Sequence, residues 1–130
     1  MDRTDVFAAF ESGSLRGPGM ERDFTALPWR PHPAFAGVAL KHLVVGEDSG
    51  GLFSYHLVRI DPGKAIGDHI HDPQLETHEV VAGRGVCLNG GERIEYAPGV
   101  ISIFRPGTAH EVAAGEDGLL LFAKFIPPLC

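Results

Sequence analysis

The stretch GKAIGDHIHDPQLETHEVVAG (residues 63–83) decides how the chain is read. It carries three of the seven histidines, His69, His71 and His78, together with Glu76 and Glu79. Its two apolar-rich pieces, AIGDHIH and THEVVAG, are bounded by the turn formers DPGK and DPQ and are too short for helices, so both read as strands. Alternate side chains of a strand share a face. His69 and His71 therefore leave the same side, with Cα atoms about 6.6 Å apart. Two such imidazoles can converge on one ion with bonds of about 2.0–2.1 Å. A spacing of one or three residues would send them to opposite faces.

Glu76 opens the next strand and can supply an anionic oxygen to the same ion. His110, just after RPGTA, can enter from another strand as a fourth ligand. Three neutral imidazoles and one carboxylate would leave a divalent ion with positive charge to spare, and an octahedral ion with positions open to water or substrate. Iron, manganese, nickel, cobalt, copper and zinc all accept such ligands, so the donor set does not choose among them. A lone histidine is ordinarily a surface or satisfied core residue, and an HxH pair alone is weak evidence. The frame around the pair carries the rest.

The 130 residues suit one domain with a single core. Apolar residues make up 44% and charged residues 22%, the balance of an ordinary globular protein. Net charge is −6 with no basic run, which argues against nucleic acid and anionic membrane as partners. The opening MDRTDVFAAFESGSL has no signal-peptide core, and no apolar run approaches the roughly 20 residues of a membrane span. Cys87, within GVCLN, is expected to be a buried free thiol; Cys130 can be exposed. Nothing calls for an oxidising compartment, and the expected location is cytoplasmic.

Residues 1–20 are expected to form an N-terminal arm, with a short helix over TDVFAAFESGS capped by Thr4 and presenting Val6, Phe7 and Phe10. GSLRGPGM breaks it, leaving a loosely attached arm that packs on the domain or on a neighbouring subunit. Residues 21–130 form the second unit. Seventeen glycines and ten prolines punctuate short strands. The candidates are DFTALPW, GVALKHLVV, LFSYHLVRI, AIGDHIH, THEVVAG, GVCLN, RIEYA, VISIF, AHEVAA and LLLFAKFI. Asn89-Gly90 signals a hairpin, and AAGEDGLL looks like another. Connections this short exclude crossover helices, so the sheet should be antiparallel, an all-β sandwich or jelly-roll barrel.

Two blocks of the chain resemble the two signature motifs of the cupin superfamily. GKAIGDHIHDPQLETHEVVAG fits G-x5-H-x-H-x(3,4)-E-x6-G without a gap, and GVISIFRPGTAHEVAA (residues 99–114) matches the glycines and histidine of G-x5-P-x-G-x2-H-x3-N at Gly99, Gly107 and His110. Arg105 stands where the family usually has proline, and Ala114 where it has asparagine. The resemblance covers roughly residues 24–126. It implies a small double-stranded β-helix barrel and one divalent transition metal ion held by His69, His71, Glu76 and His110. Upstream, LPWRPHPAFAGVALKHLV and LVRIDPG are similar to the opening of cupin domains in zinc-binding anti-sigma factors and small dioxygenases. Anti-sigma factors of that type carry an N-terminal zinc domain, and residues 1–20 contain no His or Cys to form one.

His78 shares strand parity with Glu76 and Val80, so it should point inward near the ion. There it can donate to a ligand, shuttle a proton as the catalytic acid or base, or touch substrate. Equally, it can be an interior histidine that only orients Glu76. Glu79 has the opposite parity and should face solvent. His56, in register with Val58 and Ile60, is either pocket wall or a satisfied core histidine. Tyr55 and Arg59 lie on the other face, toward a subunit or solvent. His32 and His42 have no evident partner, and Trp29 is a packing anchor. Phe104, Phe122 and Phe125 read as core or pocket wall; the expected substrate pocket comprises His56, Phe104 and Phe122.

The resulting expectation is a metal-dependent enzyme of dioxygenase or isomerase type acting on a small molecule. The alternative is a non-catalytic, metal-dependent ligand-binding or sensor module. A purely structural metal is disfavoured because such sites are normally closed. Homodimerisation is expected from the resemblance, with the arm as an exchangeable element.

Overall fold

The computed structural model describes residues 3–130, with side chains from Val6 onward. The proposed Thr4 cap thus lies outside the described side chains. A helix, α1 (Arg3–Glu11), precedes ten strands: β1 (Ser14–Gly17), β2 (Met20–Asp23), β3 (Arg30–Pro31), β4 (Val38–Val44), β5 (Ser54–Ile60), β6 (Ala65–His69), β7 (Leu75–Asn89), β8 (Glu92–Tyr96), β9 (Ile101–Phe104) and β10 (His110–Ile126).

All pairings are antiparallel, as short connections require. β1 and β2 form their own hairpin; the remaining eight strands form one sheet in the order β3-β4-β5-β10-β7-β8, with β6 also on β10 and β9 also on β7. The long strands β7 and β10 pair with each other from Leu75↔Ile126 to Asn89↔His110. Each changes its outer partner partway along. β10 passes from β6 to β5, and β7 passes from β9 to β8. A sheet whose two central strands switch partners in this way closes on itself, giving the antiparallel jelly-roll barrel.

Three strand assignments change. THEVVAG and GVCLN are one strand, β7; AHEVAA and LLLFAKFI are one strand, β10. The GEDG segment is therefore a bulge and not a hairpin. Between Ala114↔Gly85 and Leu119↔Gly83, β10 carries extra residues that β7 does not match. Gly83 has φ +84°, and a Cβ there would sit 2.0 Å from the Gly118 carbonyl oxygen, so glycine is required where the chains cross so closely. DFTALPW yields a 3-10 turn, Phe24–Ala26, because Asp23 caps it by accepting from the Thr25 N–H at 2.9 Å. The Asn89 hairpin forms as read. Asn89 pairs with Glu92 across Gly90 and Gly91, whose φ values of +58° and +85° make the primed turn.

Two apolar layers result. One fills the barrel, with Val58, Ile60, Val112, Leu119 and Leu121 among its buried residues. The other lies between the outer face of the sheet and the N-terminal segment. There Phe7, 2% exposed, packs with Phe24, Leu43 and Leu57. Lys41 Nζ donates to the Glu11 carbonyl at 2.7 Å and so caps the helix C-terminus from the sheet. Tyr55 packs into this layer, and Arg59, itself exposed, lies over the Trp29 ring at 4.5 Å.

Candidate metal centre

β6 and β10 are neighbours, and their register places His69 directly across from His110. Glu76 sits on β7, opposite Phe125 of β10 and Phe104 of β9. His71 follows the end of β6, where its carbonyl accepts from the Gly107 N–H at 2.9 Å. The turn of the second sequence block thereby holds the loop of the first. His69, His71, Glu76 and His110 each bring one ligating atom to a common point, all within 4.8 Å of one another.

The hydrogen bonds set the tautomers. His69 Nδ1–H donates to the Gly67 carbonyl at 2.7 Å, and His110 Nδ1–H donates to the Thr108 carbonyl at 2.9 Å. A carbonyl only accepts, so each Nδ1 carries a proton and each Nε2 is turned to the cluster; that of His110 also carries a proton, donated to Glu76, which an ion would displace. His110 Nε2 lies 3.0 Å from Glu76 Oε1, and His71 Nε2 lies 3.7 Å from the same oxygen. Ligands about 2.0–2.2 Å from one ion stand roughly 3–4 Å apart, so the four need close in only slightly.

Burial alone would push the Glu76 carboxyl up, but the electrostatic pull of the His78 imidazole and the hydrogen bonds from His110 and His78 outweigh it and hold it well below the usual range. Burial pulls His69 and His71 below the ordinary imidazole value, keeping them neutral. Burial lowers His110 too, but hydrogen bonds to Glu76 and the Thr108 carbonyl reverse this. Among the described residues, the side-chain partners of Glu76 are imidazoles alone. A carboxylate only 4% exposed, facing imidazole nitrogens with no Lys or Arg on it, fits a cation. The residues present therefore suit one divalent transition ion.

His78 is 1% exposed, with both ring nitrogens engaged. Its Nε2–H donates to Glu76 Oε2 at 2.8 Å, and its Nδ1 accepts from the Tyr96 hydroxyl at 3.0 Å. This arrangement orients Glu76. Burial pushes the Tyr96 hydroxyl far up, so it remains a donor.

A cavity of about 350 Å³ opens beside the ligands, walled by Leu40, Val58, Ile66 and Phe125, with Arg30 and His32 also lining it. The expected pocket residues lie elsewhere. Phe104 stacks on His110 at 4.1 Å and meets His78 edge-on at 4.7 Å, forming the backing of the ligands. His56 lies outside the lining, against His42, with their Nδ1 atoms 2.7 Å apart. Phe122 is on the outer face of β10, against Phe7 and Phe10 of α1. The bulge inverts the alternation: His110, Val112 and Ala114 face inward before it, Leu119, Leu121, Ala123 and Phe125 after it. Phe122 therefore points outward. Glu79, expected in solvent, pairs with Lys124 Nζ at 2.6 Å and is half-buried. Sequence reasoning left His42 unassigned. It points inward on β4, level with His56 on β5, a pairing set by the strand register.

Comparison with known proteins agrees with this architecture. The chain superposes on a predicted oxalate decarboxylase of Thermotoga maritima with TM-score 0.71 and 21% identity, over 78% of this chain and 91% of the other. An RmlC-like cupin from Shewanella frigidimarina gives TM-score 0.71 at 15% identity, over 88% and 93%. The polyketide cyclase RemF of Streptomyces resistomycificus gives 0.69 at 16%, over 87% and 80%. Identities this low establish the fold alone. No curated protein matches the chain by sequence. No helix among the described residues is long and apolar enough to cross a membrane. The cupin domain profile matches residues 56–123, more than half of the chain and including all four ligating residues; the chain belongs to the cupin family.

Proposed function

We propose that the protein is a metal-dependent enzyme acting on a small organic molecule within the barrel, by dioxygenase- or isomerase-type chemistry. The observation that carries this reading is the convergence of His69, His71, Glu76 and His110 at the wall of a cavity large enough for such a molecule. These four residues would hold one divalent transition ion, which supplies Lewis-acid polarisation of a substrate oxygen and, if redox-active, electron transfer.

The chain's own residues do the rest. Carbonyl contacts at Gly67 and Thr108 lock His69 and His110 in the ligating tautomer. His78 holds Glu76 in place and keeps its second oxygen paired. Leu40, Val58, Ile66 and Phe125 exclude water from an apolar substrate body, while Arg30 offers a cation to an anionic or carbonyl end.

The test is elemental analysis followed by turnover. The purified protein should contain about one transition metal per chain, and His69→Ala should remove it; metal retained in that variant would refute the ligand set. Anaerobic Fe(II) loading, then oxygen uptake with diketones, thiols and catechols, should reveal a substrate. A second reading has one observation in its favour. Both nitrogens of His78 are occupied, which leaves it no free position to exchange a proton with a substrate. On that reading the protein binds a small ligand at the metal without turnover. Tight ligand binding with no reaction across the panel would select it.

A further inference from the structure

A second group of ligating atoms lies along the same cavity. His42 of β4 and His56 of β5 are cross-strand partners, and both point inward. Cys130 completes the group, and the thiol and the two imidazoles each offer an atom within 4.8 Å of the others. His42 and Cys130 line the cavity, and His56 lies fully buried behind them.

The position of Cys130 is built. The Gly46 N–H donates to the Cys130 carbonyl at 2.7 Å, and the Leu129 N–H donates to Ser54 Oγ at 2.8 Å. Gly46 permits this approach, since a Cβ there would stand 2.8 Å from Pro128 Cγ. Ser54, fully buried, also meets His56 Nε2 at 2.7 Å. With His56 Nε2–H donating to Ser54 Oγ, the Nδ1 lone pair is aimed at His42. One serine thus fixes both the tail and the tautomer, the usual task of groups behind a metal ligand. Burial, with the neighbouring His42, pushes His56 down to about 3, and burial with Arg30 lowers His42; both rings are neutral and available as ligands.

We propose that His42, His56 and Cys130 form a second metal site, with two nitrogens and one sulfur, that takes Cu(I). A thiolate beside imidazoles selects soft ions. Three donors satisfy trigonal Cu(I), whereas structural Zn(II) requires four. Charge points the same way. A thiolate cancels Cu(I), giving a neutral complex in a largely apolar cavity. A divalent ion would leave positive charge near the Arg30 guanidinium.

The two Nδ1 atoms share a proton at 2.7 Å. Trigonal bonds of about 2.0 Å would set them roughly 3.4 Å apart, so His42, which is only half-buried, must withdraw by under about 1 Å. On binding, the His42 proton moves from Nδ1 to Nε2 within the neutral ring. The Cys130 thiol releases its proton to solvent. One proton leaves per ion, and no electrons are transferred.

The test is anaerobic Cu(I) titration of the full chain against excess bicinchoninate, in wild type and in the Cys130→Ser, His42→Gln and His110→Gln variants. Wild type should take up one Cu(I) with a dependence on Cys130 and His42. Each of those two substitutions should weaken it beyond the ~10–100-fold typical of changes behind a ligand. His110→Gln should retain it, while losing the Mn(II) or Ni(II) that probes the first centre, so the two sites fail independently. Cys130→Ser should still bind Mn(II) or Ni(II), which shows that its barrel is intact. Equal Cu(I) affinity in wild type and Cys130→Ser would overturn the site. Loss of Cu(I) in His110→Gln but not in Cys130→Ser would also overturn it. A Cys130-dependent preference for Zn(II) over Cu(I) would overturn the choice of ion.

Discussion

Glu76 is aimed by a relay that runs away from the cavity: Tyr96 donates to His78, and His78 donates to Glu76. Tyr96→Phe removes the first donor without changing the ring's volume. Metal affinity at the first centre should fall by about 10-fold, measured by chelator competition, because an oriented carboxylate becomes free to turn. His56 makes a different prediction. Its folded value, near 3, lies below the unfolded value of about 6.5, so its contribution to stability is fully present above pH 6.5 and lost as pH falls toward 3. Denaturant unfolding between pH 6 and 4 should show stability dropping by about 1.4 kcal/mol per pH unit for this group. His56→Asn should flatten the curve by that amount. At this scale the candidate centre was legible in the sequence because the HxH pair stood within two blocks that resemble the cupin motifs, which implied Glu76 and His110 as partners; His71 itself lies just past the end of β6, where strand parity alone would not have placed it. The His42–His56 pair was not, since it depends on the register between β4 and β5, which is set by strand pairing. Phe122 was placed in the pocket, but a bulge turns it to the other face, and no local composition marks how a bulge resets alternation.

α1 behaves as part of the barrel's outer layer. Among its described residues, Phe7 is the one deeply buried side chain, and it reaches Trp29 at 6.0 Å and Phe122 at 6.5 Å. Phe7→Ala should cost about 3 kcal/mol in denaturant unfolding. Metal content should stay unchanged, because the helix and the first centre lie on opposite sides of the sheet. The helix itself was legible from its apolar spacing. Its firm attachment was not, because the surface that receives it is assembled from Leu43, Leu57 and Phe122 on three separate strands. The strand count agreed for partly compensating reasons. β7 and β10 each absorbed two expected strands and DFTALPW became a 3-10 turn, while β1, β2 and β3 were unforeseen.

At the scale of the molecule, β6, β7 and β10 deliver the first centre's ligands, so an ion there ties together segments far apart in sequence. Binding the folded state alone at 100 times Kd is worth about 2.7 kcal/mol. Metal loading of the apoprotein should raise Tm by roughly 8 °C, with no shift in His110→Gln, as read by scanning calorimetry.

The chain contains the triplet GED twice, at residues 46–48 and 115–117, each flanked by glycine within a few residues and each exposed at its glutamate. The first belongs to a 3-10 turn that ends at Gly50. The second sits inside β10, the strand shared by the β5 and β6 ladders. Two sites that look equally suited to accepting foreign sequence are therefore unequal. A flexible insert between Gly50 and Gly51 should leave the barrel folded and metal-binding. The same insert between Glu116 and Asp117 should sever the segment bearing His110 from the segment bearing Phe125, and the soluble yield should collapse.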